Sequence, residues 1–286
     1  MAWIERLNNA INYIEEHLED EVNYEEIAKI ACCSTFHFQR MFSYMANVPL
    51  SEYIRRRRMT MAAVDLQNSN EKVIDIALKY GYNSPTAFNR AFQSIHGITP
   101  SEARIAGTLI KAFPPISFKI TIRGDVEMNY KIKQKGSFRI IGVSQTLHKE
   151  IDKNFVAIPQ MWQKVSEDGT VEKLVPMMNL EPMGVLGVSV CNEEEEWKYY
   201  IAVASNKPID EEFEEYIVSE STWAIFYGEG VMPHSIQELE KRIITEWLPT
   251  SGYEYANAPD IEVYLSPDPQ NAKFEVWIPI VKKDKE

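Results

Sequence analysis

The chain has 286 residues, a formal net charge of −12, 45% hydrophobic and 25% charged residues, and three cysteines. The length exceeds one ordinary domain and the composition is that of a soluble globular chain, so two domains are expected. No apolar run approaches the roughly eighteen residues of a membrane span, and the opening MAWIERLNNAINYIEEH is an amphipathic helix rather than a signal peptide, which points to a cytoplasmic protein. Cys32, Cys33 and Cys191 form an odd set without CxxC spacing, which argues against a disulfide framework or zinc site and for buried, reduced thiols.

The charge is divided along the chain. Residues 27–110 carry 10 basic and 5 acidic side chains, whereas residues 111–286 carry 19 basic and 29 acidic ones. The first part is suited to a polyanion and the second is not.

Up to about residue 107 the apolar spacing is helical, beginning with Ile4, Leu7, Ile11, Ile14 and Leu18 on one face. Within this part STFHFQRMFSYM and SPTAFNRAFQSI, fifty residues apart, share an outline: Ser34 with Ser84, Phe38 with Phe88, Arg40 with Arg90, Phe42 with Phe92. Each reads as the second helix of a helix-turn-helix unit. In the first unit a helix at Tyr24–Ala31 precedes the turn Cys32-Cys33-Ser34, and the next helix buries Phe38, Met41, Phe42 and Met45. Phe36, Gln39, Arg40 and Ser43 are then expected to face outward with the chemistry of base-edge readers: Arg forks onto guanine, Gln onto adenine, and an aromatic meets a thymine methyl. In the second unit Ser84 caps the helix, Pro85 occupies its first position, and Thr86, Asn89, Arg90 and Gln93 face outward. LSEYIRRRRMTMAAVDLQ connects the two and is long enough to hold them about one DNA turn, roughly 34 Å, apart. Arg55 to Arg58 point around this helix, so they are expected to contact phosphate or brace the connection.

After Gly107 the texture changes to the short alternating runs ISFKITI, NYKIKQ, FRIIGVSQTL, GVLGVSV, WKYYIAVAS, TWAIFYGEG, IEVYL and FEVWIPI. The helical patterns FVAIPQMWQKV and SIQELEKRIITEWL interrupt them, and with EEYIVSE as a strand the region reads as a ββαββ unit written twice. The expected fold is an all-α double helix-turn-helix domain over 1–107, a linker over 108–125, and an α+β domain with antiparallel sheet over 126–286. Alternation along the last two strands predicts one hairpin face carrying Glu262 and Tyr264 together with Glu275 and Trp277. With Tyr200 and Trp223 in the same domain, this is the composition of an aromatic pocket for a small molecule. Burial of its carboxylates favours a cationic ligand. No P-loop, GxGxxG, HExxH or paired-His spacing occurs, so no metal or nucleotide cofactor is expected.

The residues IAKIACCSTFHFQRMF, LSEYIRRRRM and IALKYGYNSPTAFNRAFQSIHGITPSEAR make residues 8–106 resemble the DNA-binding domain of AraC-type transcription regulators. The resemblance implies a seven-helix domain that acts as a monomer on double-stranded promoter DNA, with two reading helices in adjacent major grooves. FRIIGVSQTL, WKYYIAVAS, the helix ending EWLP, IEVYL and FEVWIPI make residues 126–281 similar to the GyrI-like effector-binding domain. That resemblance implies an effector, a bulky aromatic cation held by acidic residues of the last two strands. It also leaves open a hydrolase using Glu262 or Glu275 with Tyr199 or Tyr200, or a platform for RNA polymerase or another regulator.

Overall fold

The computed structural model describes residues 3–119, 127–149, 151–191, 197–266 and 268–283, apart from the side chain of residue 152. Two compact units divide after Lys119. Among the described residues no helix is long and apolar enough to cross a membrane.

Among the described residues the first unit holds seven helices, α1 (Trp3–Glu16), α2 (Tyr24–Ala31), α3 (Thr35–Ala46), α4 (Leu50–Asn68), α5 (Val73–Lys79), α6 (Pro85–His96) and α7 (Pro100–Ala103). The caps follow local chemistry. Asn23 Oδ1 accepts from the Glu25 and Glu26 amides, Ser34 Oγ from His37 N at 3.2 Å, and Ser84 Oγ from Ala87 N at 3.4 Å. Thr99 and Glu102 close a reciprocal capping box at α7. Two apolar centres result. Phe38 and Phe42 anchor the first with Tyr53, and Phe88, Phe92 and Ile95 anchor the second with Ile76, Ala77 and Tyr80. Each buried Phe contributes about 1.5–3 kcal/mol.

The expected linker begins as part of this unit. Residues 108–119 are irregular and lie along the helices: Phe118 is buried, Phe113 N donates to Thr60 Oγ1, and Ile116 N donates to the Tyr53 hydroxyl. The expected strand ISFKITI is therefore not one over 116–119, because its amides pair with helix side chains instead of a neighbouring strand. Residues 120–126, which hold the rest of that run and the expected domain boundary, lie outside the described residues. The thiols also differ from expectation: Cys32 is exposed and Cys33 and Cys191 are half-buried. Cys32 sits at a helix end in the left-handed region (φ 55°), where the chain turns away from the core.

The second unit is an antiparallel sheet in the order β1-β6-β9-β8-β3-β4-β2-β5. Its strands are β1 (Tyr130–Lys135), β2 (Phe138–Thr146), β3 (Val185–Cys191), β4 (Trp197–Ala204), β5 (Glu214–Val218), β6 (Ser221–Gly230), β7 (Tyr253–Tyr255), β8 (Asp260–Tyr264) and β9 (Ala272–Lys282). The short β7, not expected from sequence, pairs with the end of β9. Helices α8 (Ile151–Glu167) and α9 (Thr170–Leu174) follow β2, and α10 (His234–Arg242), continuing as a π-helical turn to Trp247, follows β6. The duplication is visible in the register. One offset carries Leu186↔Ala202 onto Ile261↔Trp277, and another carries Phe138↔Val218 onto Ser221↔Lys135. The first strand of each repeat completes the other repeat's half of the sheet, and the two halves meet along β3 and β8.

Candidate functional site

The two helices expected to read DNA differ in exposure. On α6, Thr86, Arg90 and Gln93 are exposed and Asn89 half-exposed, as the sequence predicts. On α3, Phe36, Gln39, Arg40 and Ser43, expected to face outward, are buried at 6%, 3%, 8% and 9% exposure. Phe36 packs edge-on against His37 and the Arg40 guanidinium lies 5.8 Å from the Tyr44 ring centroid. Helical spacing identifies which side chains share a face, but not whether that face meets water.

The arginine run divides between two tasks. Arg57 is buried and grips Glu15 through Nε (2.9 Å to each oxygen) and Nη2 (2.7 Å), while Arg58 donates to the Leu18 and Asp20 carbonyls. Arg57 braces α4 against α1, and Arg58 braces it against the turn that follows α1. Arg55 and Arg56 share Glu52, whose carboxyl is held below the usual range by the two guanidiniums despite partial burial. Arg55 also donates to Ser94 Oγ at 2.8 Å, at the end of the α6 row Thr86, Arg90, Ser94, so it stands beside the exposed reading face.

In the second unit the register corrects the expected hairpin face. Directly opposed residues share a face of an antiparallel pair, and Val263 opposes Glu275, Ile261 opposes Trp277, and Glu262 opposes Val276. Glu262 and Tyr264 therefore lie on one side of the sheet, Glu275 and Trp277 on the other. The sequence shows alternation within each strand, but the phase between strands is set by the turn. Tyr200 and Trp223 fall on the Trp277 side. There Trp223 and Trp277 have ring centroids 5.8 Å apart within an aliphatic core, and the Trp277 indole donates to Glu275 at 2.7 Å. These four are not gathered with Glu262.

On the other side α8 and α10 pack across the sheet, and Glu262 stands on β8 at the junction of the two repeats. Its Oε2 accepts hydrogen bonds from the Tyr199 and Tyr264 hydroxyls, both at 2.9 Å. Trp162 on α8 donates its indole N–H to the Tyr199 hydroxyl at 3.0 Å and sets its ring 4.7 Å from that of Tyr264. Across the central strand pair, Gly187 opposes Glu262 and leaves room for the carboxylate. Burial raises both tyrosine hydroxyls well above the usual value, and the Glu262 charge raises them further, so both remain protonated donors. Glu240 of α10, buried, adds to the same negative potential. The sequence counts Trp162 only among the aromatics of this domain, without a place beside Glu262, and does not single out Gly187. Their only signal was an aromatic on the sheet-facing stripe of a helix and a glycine inside a strand.

Residues 128–281 match the family described as the GyrI-like small molecule binding domain, and residues 27–105 match a helix-turn-helix domain. The transcriptional activator AarP of Providencia stuartii is 39% identical over 102 residues, covering 36% of this chain and 76% of that one. The regulatory protein SoxS of Salmonella typhimurium is 37% identical over 104 residues, 36% of this chain and 97% of that one. A solved structure of SAV2435 bound to tetraphenylphosphonium aligns with 54% of this chain and 94% of its own at 20% identity and a TM-score of 0.47. The chain belongs to the GyrI-like small molecule binding domain family and carries ahead of that domain an AraC-type helix-turn-helix domain, the pairing of a DNA-binding transcription regulator.

Proposed function

We propose that the protein is a cytoplasmic one-component regulator that reads promoter DNA as a monomer through α3 and α6 in successive major grooves, and that a lipophilic aromatic cation at Glu262 controls it. The observation that supports the ligand class is the Glu262 carboxylate held by two tyrosine hydroxyls under an indole, with Glu240 adding to the negative potential on those hydroxyls. A weakly hydrated cation gains from the aromatic faces and from an acidic side chain among them at little desolvation cost.

Tryptophan-fluorescence titration with tetraphenylphosphonium and with a neutral analogue of the same shape tests the reading. The cation should bind more tightly to wild type, and Glu262→Gln should weaken it about tenfold, the effect of roughly 1.4 kcal/mol. Equal binding of both ligands, or no loss in Glu262→Gln, would refute it. The Tyr199–Glu262 contact also gathers the glutamate and tyrosine that a hydrolase would need. Mass change of the ligand in the same incubation would favour that second reading.

A further inference from the structure

We propose that residues 110–118 are the regulatory strap of the DNA reader: docked, they set the spacing of the two reading helices, and ligand binding in the second unit acts on DNA affinity by shifting that docking. The inference rests on the ligand reading above only in its second clause.

The strap touches the elements that fix both helix-turn-helix units. At one end Ile110 and Phe113 pack against the core that seats α6. At the other, Phe118 sets its ring edge-on to Phe42 of α3, with centroids 5.9 Å apart. Between these ends the strap is fastened to α4 and α1. The Phe113 carbonyl accepts from Arg57 and its amide donates to Thr60 Oγ1 at 3.1 Å. The Ile116 amide donates to Tyr53 at 3.3 Å, and Phe118 exchanges two hydrogen bonds with the Asn8 side-chain amide, at 2.8 and 3.0 Å. Arg56 lies over the Phe113 ring at 5.2 Å.

Between its apolar ends the fastening is polar, made by side chains on backbone groups that water can also satisfy. Such a segment opens more readily than the helices beneath it. Opening would uncover Phe118 and release Phe42 and Arg56 together, loosening α3 and a linker-helix cation in one step. The first unit ends at Lys119, so the strap is the part of that unit nearest in sequence to any restraint a ligand imposes on the second. This supplies a two-state element that both sites can bias.

The test uses the full chain. Hydrogen exchange at the Phe113, Ile116 and Phe118 amides is measured in wild type, Asn8→Ala and Phe118→Ala, alongside cognate-DNA affinity and melting temperature. The expected result is exchange at least about tenfold faster in the variants, with cognate affinity weakened by at least about fivefold while the helical unit stays folded. Thr60→Val, which removes one fastening without changing volume, should shift both readouts in the same direction. Faster strap exchange with affinity unchanged within about twofold would overturn the strap's role.

Tetraphenylphosphonium is then added. If it binds, strap exchange in wild type should change, and its effect on DNA affinity should shrink in Asn8→Ala. Binding without either change would overturn the coupling and leave the ligand reading intact. Absence of binding would defeat the ligand reading, and the DNA measurements alone would then decide the strap's role.

Discussion

Gly187 faces Glu262 across the central pair of strands, and a Cβ at that glycine would fall 2.7 Å from Glu262 Oε2 and 2.1 Å from the Tyr199 hydroxyl. The carboxylate and its donor occupy the space that any other side chain at 187 would need. Gly187→Ala is therefore expected to displace Tyr199, cost about 1–3 kcal/mol of stability and weaken cation binding at the same time. Thermal denaturation and the fluorescence titration read both effects. Wild-type behaviour in both would mean that the tyrosine has somewhere else to go.

The tyrosine hydroxyls set an alkaline limit. Burial first and a hydrogen-bonded carboxylate second raise Tyr53, Tyr80, Tyr199 and Tyr264 above the usual value of 10.0. The folded state holds these protons more tightly than the unfolded state does. Their contribution is complete below the unfolded pKa, near 10, and is lost as pH rises beyond it. Urea midpoints from these groups should be level between about pH 7 and 9 and decline above about 10. Level midpoints to pH 11 would contradict the assignment.

Arg57→Ala should be among the most damaging substitutions in the helical unit. It leaves Glu15, whose side chain is 18% exposed, without its three guanidinium bonds, and it releases the Phe113 carbonyl. A loss of about 3–5 kcal/mol is expected, as for breaking a largely buried pair. Arg58→Ala, at a partly exposed site bonded to two carbonyls, should cost less. Chemical denaturation would order the two, and the reverse order would show that the brace lies at α4's other contact.

Arg90→Ala should weaken cognate DNA binding by about 1–3 kcal/mol and relax preference at one base position. Arg90 is exposed, whereas Arg40 is buried beside Tyr44, so the two substitutions also separate two causes of loss. Arg40→Ala is expected to lower both binding and melting temperature, Arg90→Ala binding alone. A footprint untouched by either would remove both from the interface.

Cys32→Gly should stabilise the first helix-turn-helix by up to about 1 kcal/mol, because the left-handed conformation strains any side chain and suits glycine. The second unit already places Gly81 (φ 82°) at the corresponding turn, where Tyr82 N returns to the Ala77 carbonyl as Cys33 N returns to that of Ala28. A lower melting temperature in Cys32→Gly would show that the thiol's contacts outweigh the strain.

Much of this was written locally. Ser34, Ser84 and Pro85 mark helix starts, the i, i+3, i+4 spacing of Phe38, Met41 and Phe42 or of Phe88, Phe92 and Ile95 marks the buried stripe, and period-two alternation marks β1 to β6, β8 and β9. These signals lie within one element, where backbone geometry alone decides which side chains share a face. The duplicated ββαββ plan was legible for the same reason. Three things depended on how separate elements pair. The β8–β9 register moved Glu275 and Trp277 away from Glu262 and put Tyr199, Trp162 and Gly187 around it instead. Packing buried Phe36, Gln39, Arg40 and Ser43, which the helical period had turned outward. Hydrogen bonds spanning as many as 110 residues drew 108–119, an apparent linker, onto α1 and α4. Alternation and amphipathicity define faces, but only pairing between elements decides which faces meet, because one residue of register reverses every side chain of a strand.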